Sequence, residues 1–371
     1  MSSIRLIQAA AGSGKTELIV REALSDPNHP SLLTTFTQAN EKSIRQRIMS
    51  LMRYIPEHVT VQTWDSFLLQ HAIRPYQGCV SDSFRSVLIN GMLWVESQSS
   101  QYKSEERAPL EHYFHNSNGN CRVYSDKIAK LAVRCGEKSN NASISRIAKL
   151  FKRIYIDECQ DLAGYDLDFL LMLGAYTSEL ILVGDPRQVT YLTHWERRNQ
   201  KYRNGGIKHF LCDNRVAFAF DDKSLRKSHR NHKAICEYAA RLYPSDIPGI
   251  PCDCCKHDDG EYQGIFCISP EQLSEYAKKY NVTQLRMDKR TRVMEHVPAI
   301  NFGLSKGMTF DRAIIYPTKK IKDWILNNSI TLPDQTRAKF YVAITRARYS
   351  VAFVLDESIG NPPELIRYQM V

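Results

Sequence analysis

Short runs of Ile, Val and Leu recur along the 371-residue chain, and each run is followed by turn or polar residues. Most runs then lead into a stretch with helical periodicity. The clearest of them are "SIRLIQ", "SLLTTF", "RIYIDE", "LILVGD", "RAIIYP" and "VAFVLD". Continuous apolar runs that alternate with helical segments are typical of buried parallel strands. The pattern therefore predicts an α/β fold with parallel sheets.

Two parts of the chain interrupt this alternation. Residues 76–149 combine helical patterns with many basic and aromatic side chains. Residues 244–298 begin with several prolines and continue into a cluster of cysteines. A chain of this length is also too long for one ordinary core, which suggests two or more domains. We interpret both parts as insertions into a two-lobed α/β core.

The segment "QAAAGSGKTE" (Gln8–Glu17) follows an apolar strand pattern and precedes a helical one, which is the context of a phosphate-binding loop. Gly12 and Gly14 would let backbone N–H groups approach phosphate oxygens. Lys15 would reach the β- and γ-phosphates, and Thr16 would hold Mg²⁺. The alternative is a strand-to-helix turn of small residues, and Lys-Thr at the helix start favours the phosphate loop. The predicted nucleotide-contacting residues are Ala11, Gly12, Ser13, Gly14, Lys15 and Thr16.

A second candidate site lies in "RIYIDECQDL", a strand pattern that ends in Asp157 and Glu158. An NTPase needs one carboxylate near Mg²⁺ and another that orients or deprotonates the attacking water. We assign Asp157 to the metal and Glu158 to the water. The alternative is an acidic helix N-terminus, and the phosphate loop upstream favours the catalytic pair.

The segment "DECQD" resembles the second motif of superfamily 1 helicases of the UvrD/Rep type. Further segments resemble other motifs of this family and appear in the family's order. They are "TTFTQANEKSIRQRI" (Thr34–Ile48), "TVQTWDSFL" (Thr60–Leu68), "LVGDPRQVTY" (Leu182–Tyr191), "LRKSHRNHKAICEYAARLY" (Leu225–Tyr243), "NFGLSKGMTFDRAIIY" (Asn301–Tyr316) and "KFYVAITRARYSVAFV" (Lys339–Val354). An ordered set of motifs that extends over nearly the whole chain is far more specific than a phosphate loop alone.

The resemblance implies two RecA-like P-loop lobes that sandwich ATP. The implied division is a first lobe of residues 1–75 and 150–210 with a helical insertion at 76–149, and a second lobe of residues 211–243 and 299–371 with a short insertion at 244–298. The second lobe would supply positive charge to the γ-phosphate through Arg230 and Arg346. Gln188 would sense the γ-phosphate, and Gly307 would contact the nucleotide.

The resemblance also implies a track for single-stranded nucleic acid, which proteins hold by backbone contacts and aromatic stacking. Phe36 matches a base-stacking position of the family, and Trp195 is a further aromatic candidate. The other implied track residues are Thr37, Gln38, Thr63, Trp64, Ser66, Tyr191, Ser305 and Lys306. For each aromatic residue the alternative is packing in a core. The basic run "ERRNQKYRNGGIKH" (Glu196–His209) is interpreted as a solvated loop, with phosphate contact as the alternative.

Composition adds a few constraints. The net charge of +10 and the pI of about 9.0 favour a polyanionic partner, most often nucleic acid. No apolar stretch approaches the roughly 18 residues of a membrane span, and the first residues lack a secretory signal pattern. The ten cysteines lack paired spacing and are interpreted as reduced thiols, so we expect a cytoplasmic protein without a membrane partner.

Part of the cysteine content is concentrated in "PCDCCKHDDG" (Pro251–Gly260). A reduced thiol-rich loop is the favoured interpretation, because the C-x-C-C-x-H spacing differs from that of common zinc sites. The alternative is a soft ligand set for Zn²⁺, to which Cys236 or Cys267 would also contribute. That set is Cys252, Cys254, Cys255 and His257.

The resemblance implies an ATP- and Mg²⁺-dependent DNA helicase or translocase that moves 3′ to 5′ on single-stranded DNA or a tailed duplex. An alternative from another class is a nucleic-acid-stimulated ATPase that regulates a partner nuclease, as in an anti-phage complex, and unwinds little. A P-loop kinase or metabolic NTPase would leave "ITRAR" and "TTFTQAN" unexplained. RNA stays open as a substrate.

Overall fold

The computed structural model describes residues 4–95, 109–117, 119–190, 197–255, 260, 262–356, 362 and 365–369. The chain separates into two compact units. Unit 1 comprises Met1–Ile7, Lys15–Gly184 and Leu192–Asp221, and unit 2 comprises Gln8–Gly14, Asp185–Tyr191 and Asp222–Val371.

The strands are numbered in chain order. They are β1 (Ile4–Gln8), β2 (Ser31–Thr35), β3 (Val59–Thr63), β4 (Ile89–Leu93), β5 (Phe114–Ser117), β6 (Asn120–Tyr124), β7 (Arg153–Asp157), β8 (Glu179–Gly184), β9 (Phe218–Asp221), β10 (Lys227–Ser228), β11 (Ile250–Pro251), β12 (Gly264–Ile268), β13 (Val282–Arg286), β14 (Ala299–Asn301), β15 (Phe310–Tyr316), β16 (Ala347–Val354) and β17 (Ile366–Arg367).

The α-helices are numbered in the same way. They are α1 (Lys15–Leu24), α2 (Gln38–Met52), α3 (Trp64–Phe67), α4 (Gln77–Val80), α5 (Pro109–Tyr113), α6 (Ile128–Lys138), α7 (Ala142–Leu150), α8 (Tyr165–Tyr176), α9 (Ile207–Asp213), α10 (Lys233–Ala240), α11 (Leu273–Lys279), α12 (Lys319–Leu326) and α13 (Asp334–Ile344). A π-helical turn, Leu68–Ile73, continues α3. Short 3-10 turns include Cys159–Asp161, Pro186–Gln188 and Phe302–Ser305.

Unit 1 is built on a six-stranded sheet in the order β3-β2-β7-β8-β1-β9. Parallel pairing is observed for β2 with β3, β2 with β7, β7 with β8 and β1 with β9. Every residue of β2 is buried, and β7 and β8 are exposed or half-buried only at their first residues. Burial of whole strands explains the continuous apolar runs, because helices cover both faces of a parallel sheet.

The segment that was expected to be a helical insertion contains both helices and a small sheet. Strands β4, β6 and β5 form a three-stranded sheet in that order. The following helices α6 and α7 bury Ile128, Leu131 and Ile144 in the same hydrophobic core as the strands of the large sheet. Residues 96–108, in the middle of this segment, lie outside the described residues.

Unit 2 has its own six-stranded sheet, in the order β14-β13-β15-β16-β12-β17. Its pairings are parallel wherever they are described. Two of its strands, β12 and β13, come from residues 244–298, the segment that the sequence predicts to be an insertion. That interpretation needs correction for β12 and β13, because each lies between two other strands of the sheet. The remaining lobe boundaries stay predictions.

The two large parallel sheets with their covering helices confirm the α/β fold of two RecA-like lobes that the apolar pattern and the resemblance predicted. All six apolar runs quoted from the sequence are strands, namely β1, β2, β7, β8, β15 and β16. Among the residues described, none of the helices combines the length and apolar character that a membrane crossing needs.

Candidate nucleotide and nucleic-acid sites

The phosphate loop joins the end of β1 at Gln8 to the start of α1 at Lys15. Gly12 and Gly14 have φ values of +72° and +84°, a region in which only glycine is comfortable. The hydroxyl of Ser13 is buried and has no hydrogen-bond partner among the described residues. Glycine-permitted turns and an unsatisfied buried hydroxyl at a helix N-terminus fit a loop that receives a phosphate.

The two acidic residues of "DECQD" contact the first two residues of α1. The Thr16 hydroxyl donates a 3.3 Å hydrogen bond to Asp157 Oδ2, and Lys15 Nζ lies 3.5 Å from Glu158 Oε1. The Gln160 side-chain amide donates to the other Glu158 oxygen. The structure therefore brings together the predicted metal ligands Thr16 and Asp157, and the predicted water-directing Glu158 with the phosphate-loop lysine.

Backbone geometry directs these two neighbouring carboxylates to different partners. Strand β7 ends at Asp157, and Glu158 takes left-handed dihedrals, φ 57° and ψ 36°. A non-glycine residue in this region costs free energy, and such residues cluster at functional sites. Burial, with the Glu158 charge as the second cause, raises the pKa of Asp157 to about 6. A divalent cation beside Asp157 would lower this pKa again, because a nearby positive charge favours the ionised carboxylate.

In unit 2, the side chains of Gln188 and Arg346 are joined directly. Arg346 Nη2 donates a 2.9 Å hydrogen bond to Gln188 Oε1, and the Gln188 amide donates to Asp185 Oδ2 at 2.8 Å. Arg346 also donates to the carbonyl oxygens of Val342 and Met308. Gln188 and Arg346 are each about 2% exposed, so both are held in one orientation by buried hydrogen bonds.

Arg187 is a further buried residue of this network, and it is not among the predicted site residues. Its Nε donates to Asp185 Oδ1 at 2.7 Å, and its Nη2 donates to the Ala9 carbonyl of the phosphate loop at 3.2 Å. Its guanidinium also lies over the Tyr341 ring. Burial alone would lower the pKa of Arg187, but Asp185 raises it far above its usual value. The signal in the sequence was the arginine between Asp185 and Gln188 in "GDPRQ".

Arg230 and its neighbour Asn231 attach to the segment that carries Arg346. Arg230 Nη1 and Asn231 Nδ2 both donate to the Thr345 carbonyl, at 3.2 Å and 3.0 Å. Asn231 also donates to the Ala347 carbonyl at 2.6 Å. The Arg230 side chain is thus anchored to the carbonyl oxygen of Thr345, the residue that directly precedes Arg346. Asn231 was missed in the sequence because an asparagine inside a motif does not indicate on its own that it is buried.

The threonines of the predicted track are helix caps in unit 1. Thr37 precedes α2 and its hydroxyl accepts from Asn40 N–H, and Thr63 precedes α3 and accepts from Ser66 N–H. The Thr63 hydroxyl also donates to the Ser66 hydroxyl at 2.8 Å. Gln38 and Ser66 are exposed. Their roles in binding nucleic acid stay predictions, and the cap geometry shows that Thr37 and Thr63 also stabilise helix starts.

The aromatic candidates Phe36 and Trp64 differ in burial. Trp64 is 1% exposed, and its ring Nε1 donates a 2.7 Å hydrogen bond to Asp166. Its ring also packs against Phe67 and Phe169. Phe36 is half-buried, with its ring centroid 6.3 Å from that of Trp64. This placement favours core packing for Trp64 over base stacking and leaves part of Phe36 at the surface.

The remaining track candidates lie in unit 2 or outside the described residues. Ser305 is buried and donates to the Phe302 carbonyl at 2.7 Å. Lys306 is half-buried. The next residue, Gly307, which was predicted to contact the nucleotide, has a left-handed φ of +85°. Tyr191 and Trp195 lie outside the described residues.

The basic run 196–209 is more structured than the solvated loop that was expected. Among its described residues, Gln200–Tyr202 forms a 3-10 turn and Ile207 begins α9. Arg198 lies 2.7 Å from Asp168, and Lys201 lies 2.8 Å from Asp213. These ion pairs occupy part of the positive charge of the run.

The cysteine segment brings three of its four predicted ligands together. Cys252, Cys254 and Cys255 lie beside His229, whereas His257 lies outside the described residues. Cys236 and Cys267 are buried and are not part of this cluster. All ten cysteines lie in the described part of the chain, and none of them forms a disulfide.

Known helicases resemble this chain in part of its sequence. Residues 81–195 match the family model of the UvrD/REP helicase N-terminal domain. This match confirms the resemblance to UvrD-like superfamily 1 helicases that the motifs indicated. The phosphate loop and the Arg346 motif lie outside the matched residues. No curated protein matched the sequence.

Two similar solved structures are of one viral protein. The complex of arterivirus nonstructural protein 10 (helicase) with DNA is 12% identical and covers 95% of this chain and 61% of that chain, with a TM-score of 0.47. A crystal structure of arterivirus nonstructural protein 10 (helicase) is 13% identical and covers 95% of this chain and 59% of that chain, with a TM-score of 0.43. The present chain therefore spans less than two thirds of the length of either.

Proposed function

We propose that this chain, a UvrD-like superfamily 1 protein, is an ATP-dependent translocase and DNA helicase that moves on single-stranded DNA, in the 3′ to 5′ direction. The family match supports a helicase or translocase in general. ATP as the fuel, DNA as the track and the direction of movement belong to the proposal.

One observation carries the proposal, namely the pairing of Thr16 with Asp157 and of Lys15 with Glu158. A phosphate-binding loop on its own suits many kinases and metabolic enzymes. Here its lysine and threonine contact two consecutive acids at the end of β7, at distances of 3.5 Å and 3.3 Å. A threonine hydroxyl beside a carboxylate is the hard oxygen ligand set that Mg²⁺ prefers. NTP hydrolysis needs this arrangement, and simple phosphate binding does not.

Each residue then has a separate chemical task. Lys15 binds the negative charge of the terminal phosphates, and Thr16 with Asp157 would hold Mg²⁺. The cation supplies charge neutralisation at the phosphates when it is bound. Glu158, oriented by the Gln160 amide, accepts a proton from the attacking water or holds that water in place.

Three polar residues of unit 2 support the proposed coupling between ATP hydrolysis and movement. Gln188, Arg230 and Arg346 are fixed by hydrogen bonds to one another or to the same stretch of backbone. We propose that the arginines stabilise the charge that develops on the γ-phosphate. A shift of Arg346 toward the nucleotide would also pull on Gln188, which offers a physical link between nucleotide state and movement.

A second candidate function is a DNA-stimulated ATPase that regulates a partner nuclease and unwinds little. It is favoured by the size of the segment between α10 and β12. Because β12 and β13 belong to the sheet, only residues 241–263 separate the end of α10 from the start of β12, and they include the two-residue β11. This leaves little chain in unit 2 for a separate strand-parting domain. We propose a reduced cytoplasmic environment for either function, since none of the ten cysteines forms a disulfide.

The proposal is tested by the ATPase rate with no nucleic acid, single-stranded DNA, single-stranded RNA and blunt duplex DNA. We expect single-stranded DNA to raise the rate at least tenfold, with a smaller effect of blunt duplex. An ATPase rate that no nucleic acid changes would rule out both functions. A preference for RNA would keep the motor and change its track. Because phosphate contacts release counterions, stimulation should fall with salt.

A further inference from the structure

A cluster of three cysteines and one histidine lies in unit 2, outside the residues assigned to the nucleotide. The ligand atoms of His229, Cys252, Cys254 and Cys255 all lie within 4.8 Å of one another. Cys254 Sγ is 3.2 Å from Cys252 Sγ and 3.9 Å from Cys255 Sγ. The His229 Nδ1 atom is 3.4 Å from Cys254 Sγ and 3.7 Å from Cys255 Sγ.

Three of these four separations are close to the edges of a zinc tetrahedron, and the 3.2 Å between the Cys252 and Cys254 sulfurs is shorter. Bond lengths of about 2.3 Å for Zn–S and about 2.0–2.1 Å for Zn–N place neighbouring sulfurs roughly 3.8 Å apart and sulfur and nitrogen roughly 3.6 Å apart. Thiolate and imidazole ligands form the soft set that selects Zn²⁺ in structural sites. We propose that His229, Cys252, Cys254 and Cys255 bind one Zn²⁺ ion in a Cys₃His site.

The fold explains why residues about 25 positions apart meet here. Strands β10 and β11 pair in parallel, and Cys252 N–H extends the ladder with a 2.9 Å hydrogen bond to the Ser228 carbonyl. His229 directly follows β10, and Cys252 directly follows β11. Parallel strands end at the same edge, so the histidine and the cysteines emerge side by side.

A metal crosslink would stabilise this part of unit 2. Each strand of the β10–β11 pair is only two residues long, and a two-stranded pair of this size is marginal in water. Cys254 and Cys255 are exposed, and only Cys252 is buried. Packing of apolar thiols therefore does not account for their convergence on His229. Three thiolates and one imidazole bound to Zn²⁺ would form four metal–ligand bonds that hold the two segments together.

A metal ion at this site would also position Arg230, which directly follows His229. The importance of this effect rests on the proposed function. The His229 backbone N–H donates a 2.8 Å hydrogen bond to the Gly12 carbonyl of the phosphate loop. A Cβ atom added to Gly12 would lie 2.7 Å from Arg230 Cβ. A metal bound to His229 thus fixes the segment that touches the phosphate loop and carries Arg230. The ion is a positioning group and does not itself contact the nucleotide in this proposal.

Metal analysis tests the site without any activity measurement. The full chain, purified under reducing conditions without chelator, should contain one zinc per molecule by plasma mass spectrometry. His229→Ala and Cys254→Ser should each lower the zinc content at least fivefold. The matched controls are His209→Ala and Cys212→Ser, which change an exposed histidine and an exposed cysteine of unit 1. His257→Ala should keep the zinc, which separates this ligand set from the one that the sequence spacing suggested.

Cobalt replacement reports the ligand type directly. Zinc-free protein titrated with Co²⁺ should develop the visible bands of tetrahedral cobalt and a thiolate charge-transfer band, saturating at one equivalent. The spectrum should be absent from Cys254→Ser and unchanged in Cys212→Ser. Removal of the metal should lower Tm and make the 250–255 segment more sensitive to protease.

Several results would overturn the zinc site. They are a zinc-free native protein with no cobalt spectrum, equal zinc in Cys254→Ser and Cys212→Ser, or a Cys252–Cys254 disulfide found by mass spectrometry in protein kept reduced. Zinc at one equivalent without ATP hydrolysis would instead count against the proposed function alone. Normal hydrolysis by metal-free His229→Ala protein would show that the metal does not position Arg230, and it would not count against zinc binding by the native protein.

Discussion

Arg346 Nη2 donates a 2.9 Å hydrogen bond to Gln188 Oε1, and both side chains are buried. Asp185 accepts from the Gln188 amide and from Arg187, so one carboxylate holds the glutamine and a second arginine. The residue proposed to sense the γ-phosphate is therefore in direct contact with the residue proposed to neutralise it. Such coupling makes each side chain's orientation depend on the other.

Removal of either partner should weaken hydrolysis by different amounts. Arg346→Ala should lower kcat by about 10³–10⁵, because a charge donor to the phosphoryl group is lost. Gln188→Ala should cost less, and the double variant should be no worse than Arg346→Ala, since contacting residues act non-additively. Steady-state ATPase assays measure this, with Arg348→Ala as an exposed control. Normal turnover together with lost DNA binding would instead assign Arg346 to the track.

The contacts of Lys15 and Glu158 predict two distinct kinds of inactive protein. Lys15→Ala should lose both ATP binding and hydrolysis, because the phosphates lose their main cation. Glu158→Gln should keep ATP binding and lose hydrolysis, because an amide cannot accept the proton of the attacking water. Fluorescent-nucleotide binding and phosphate release distinguish the two, and exposed Glu57→Gln serves as control. Normal hydrolysis by Glu158→Gln would show that another group takes this role.

Gly12 is predicted to tolerate no side chain. Its φ is +72°, and a Cβ atom would lie 2.7 Å from Arg230 Cβ and 2.9 Å from the Ser228 hydroxyl. Gly12→Ala combines backbone strain of about 1–2 kcal/mol with a steric clash, so the stability should fall and ATP affinity should drop at least tenfold. Gly91→Ala is the control, since a Cβ atom added there would meet nothing within 4 Å. Unchanged ATP affinity in Gly12→Ala would mean that the loop opens easily.

Phe36 and Trp64 should separate nucleic-acid binding from core stability. A base stacked on an aromatic ring contributes roughly 1–3 kcal/mol, so Phe36→Ala should weaken single-strand binding about tenfold, whatever the sequence, and keep ATP binding. Trp64→Phe should lower the free energy of unfolding by about 1.5–3 kcal/mol, because it loses a buried hydrogen bond to Asp166. Fluorescence anisotropy and urea unfolding measure the two effects.

The exposed Tyr54→Ala is the control for this pair, as its side chain is 58% exposed in the same unit. If Phe36→Ala unfolds as readily as Trp64→Phe and loses ATP and DNA binding together, Phe36 belongs to the core. A stable Phe36→Ala protein with unchanged DNA affinity would remove the base-stacking role.

Strand displacement distinguishes a motor from a regulatory ATPase. A motor should separate a duplex with a 3′ single-stranded tail in the presence of ATP, and it should leave a 5′-tailed duplex intact. A regulatory ATPase should hydrolyse ATP on both substrates and separate neither. Release of streptavidin from a biotinylated single strand would report translocation independently of unwinding. Release from the 5′ end only would establish 3′ to 5′ movement, and release from the 3′ end would reverse the proposed direction.

The sequence by itself determined the α/β class of the fold and the candidate chemistry. The runs that became β1, β2, β7, β8, β15 and β16 are apolar along their length because helices cover both faces of a parallel sheet. The motifs also pointed to Thr16, Asp157 and Glu158, because an NTP site needs a phosphate loop and acids at a strand end. These are local demands, and local sequence expresses them.

Only the tertiary structure decided which polar residues lie inside. Strand β13 was missed because it reads "VTQLR", although Gln284 is fully buried. Its side chain is satisfied by the backbone of Met294 and Val297 and by the Tyr316 hydroxyl. The burial of Arg187 is likewise compensated by partners that lie far away in sequence, such as Ala9. A polar side chain can be buried only if such partners arrive, and no sequence period records their arrival.

The histidine of the proposed zinc site was decided in the same way. The sequence placed His257 next to the cysteines, whereas the pairing of β10 with β11 brings His229 to them. Proximity along the chain was a poor guide because a metal ion selects ligands by distance in space. The sequence supplied the ligand types, and the strand register decided which residues meet.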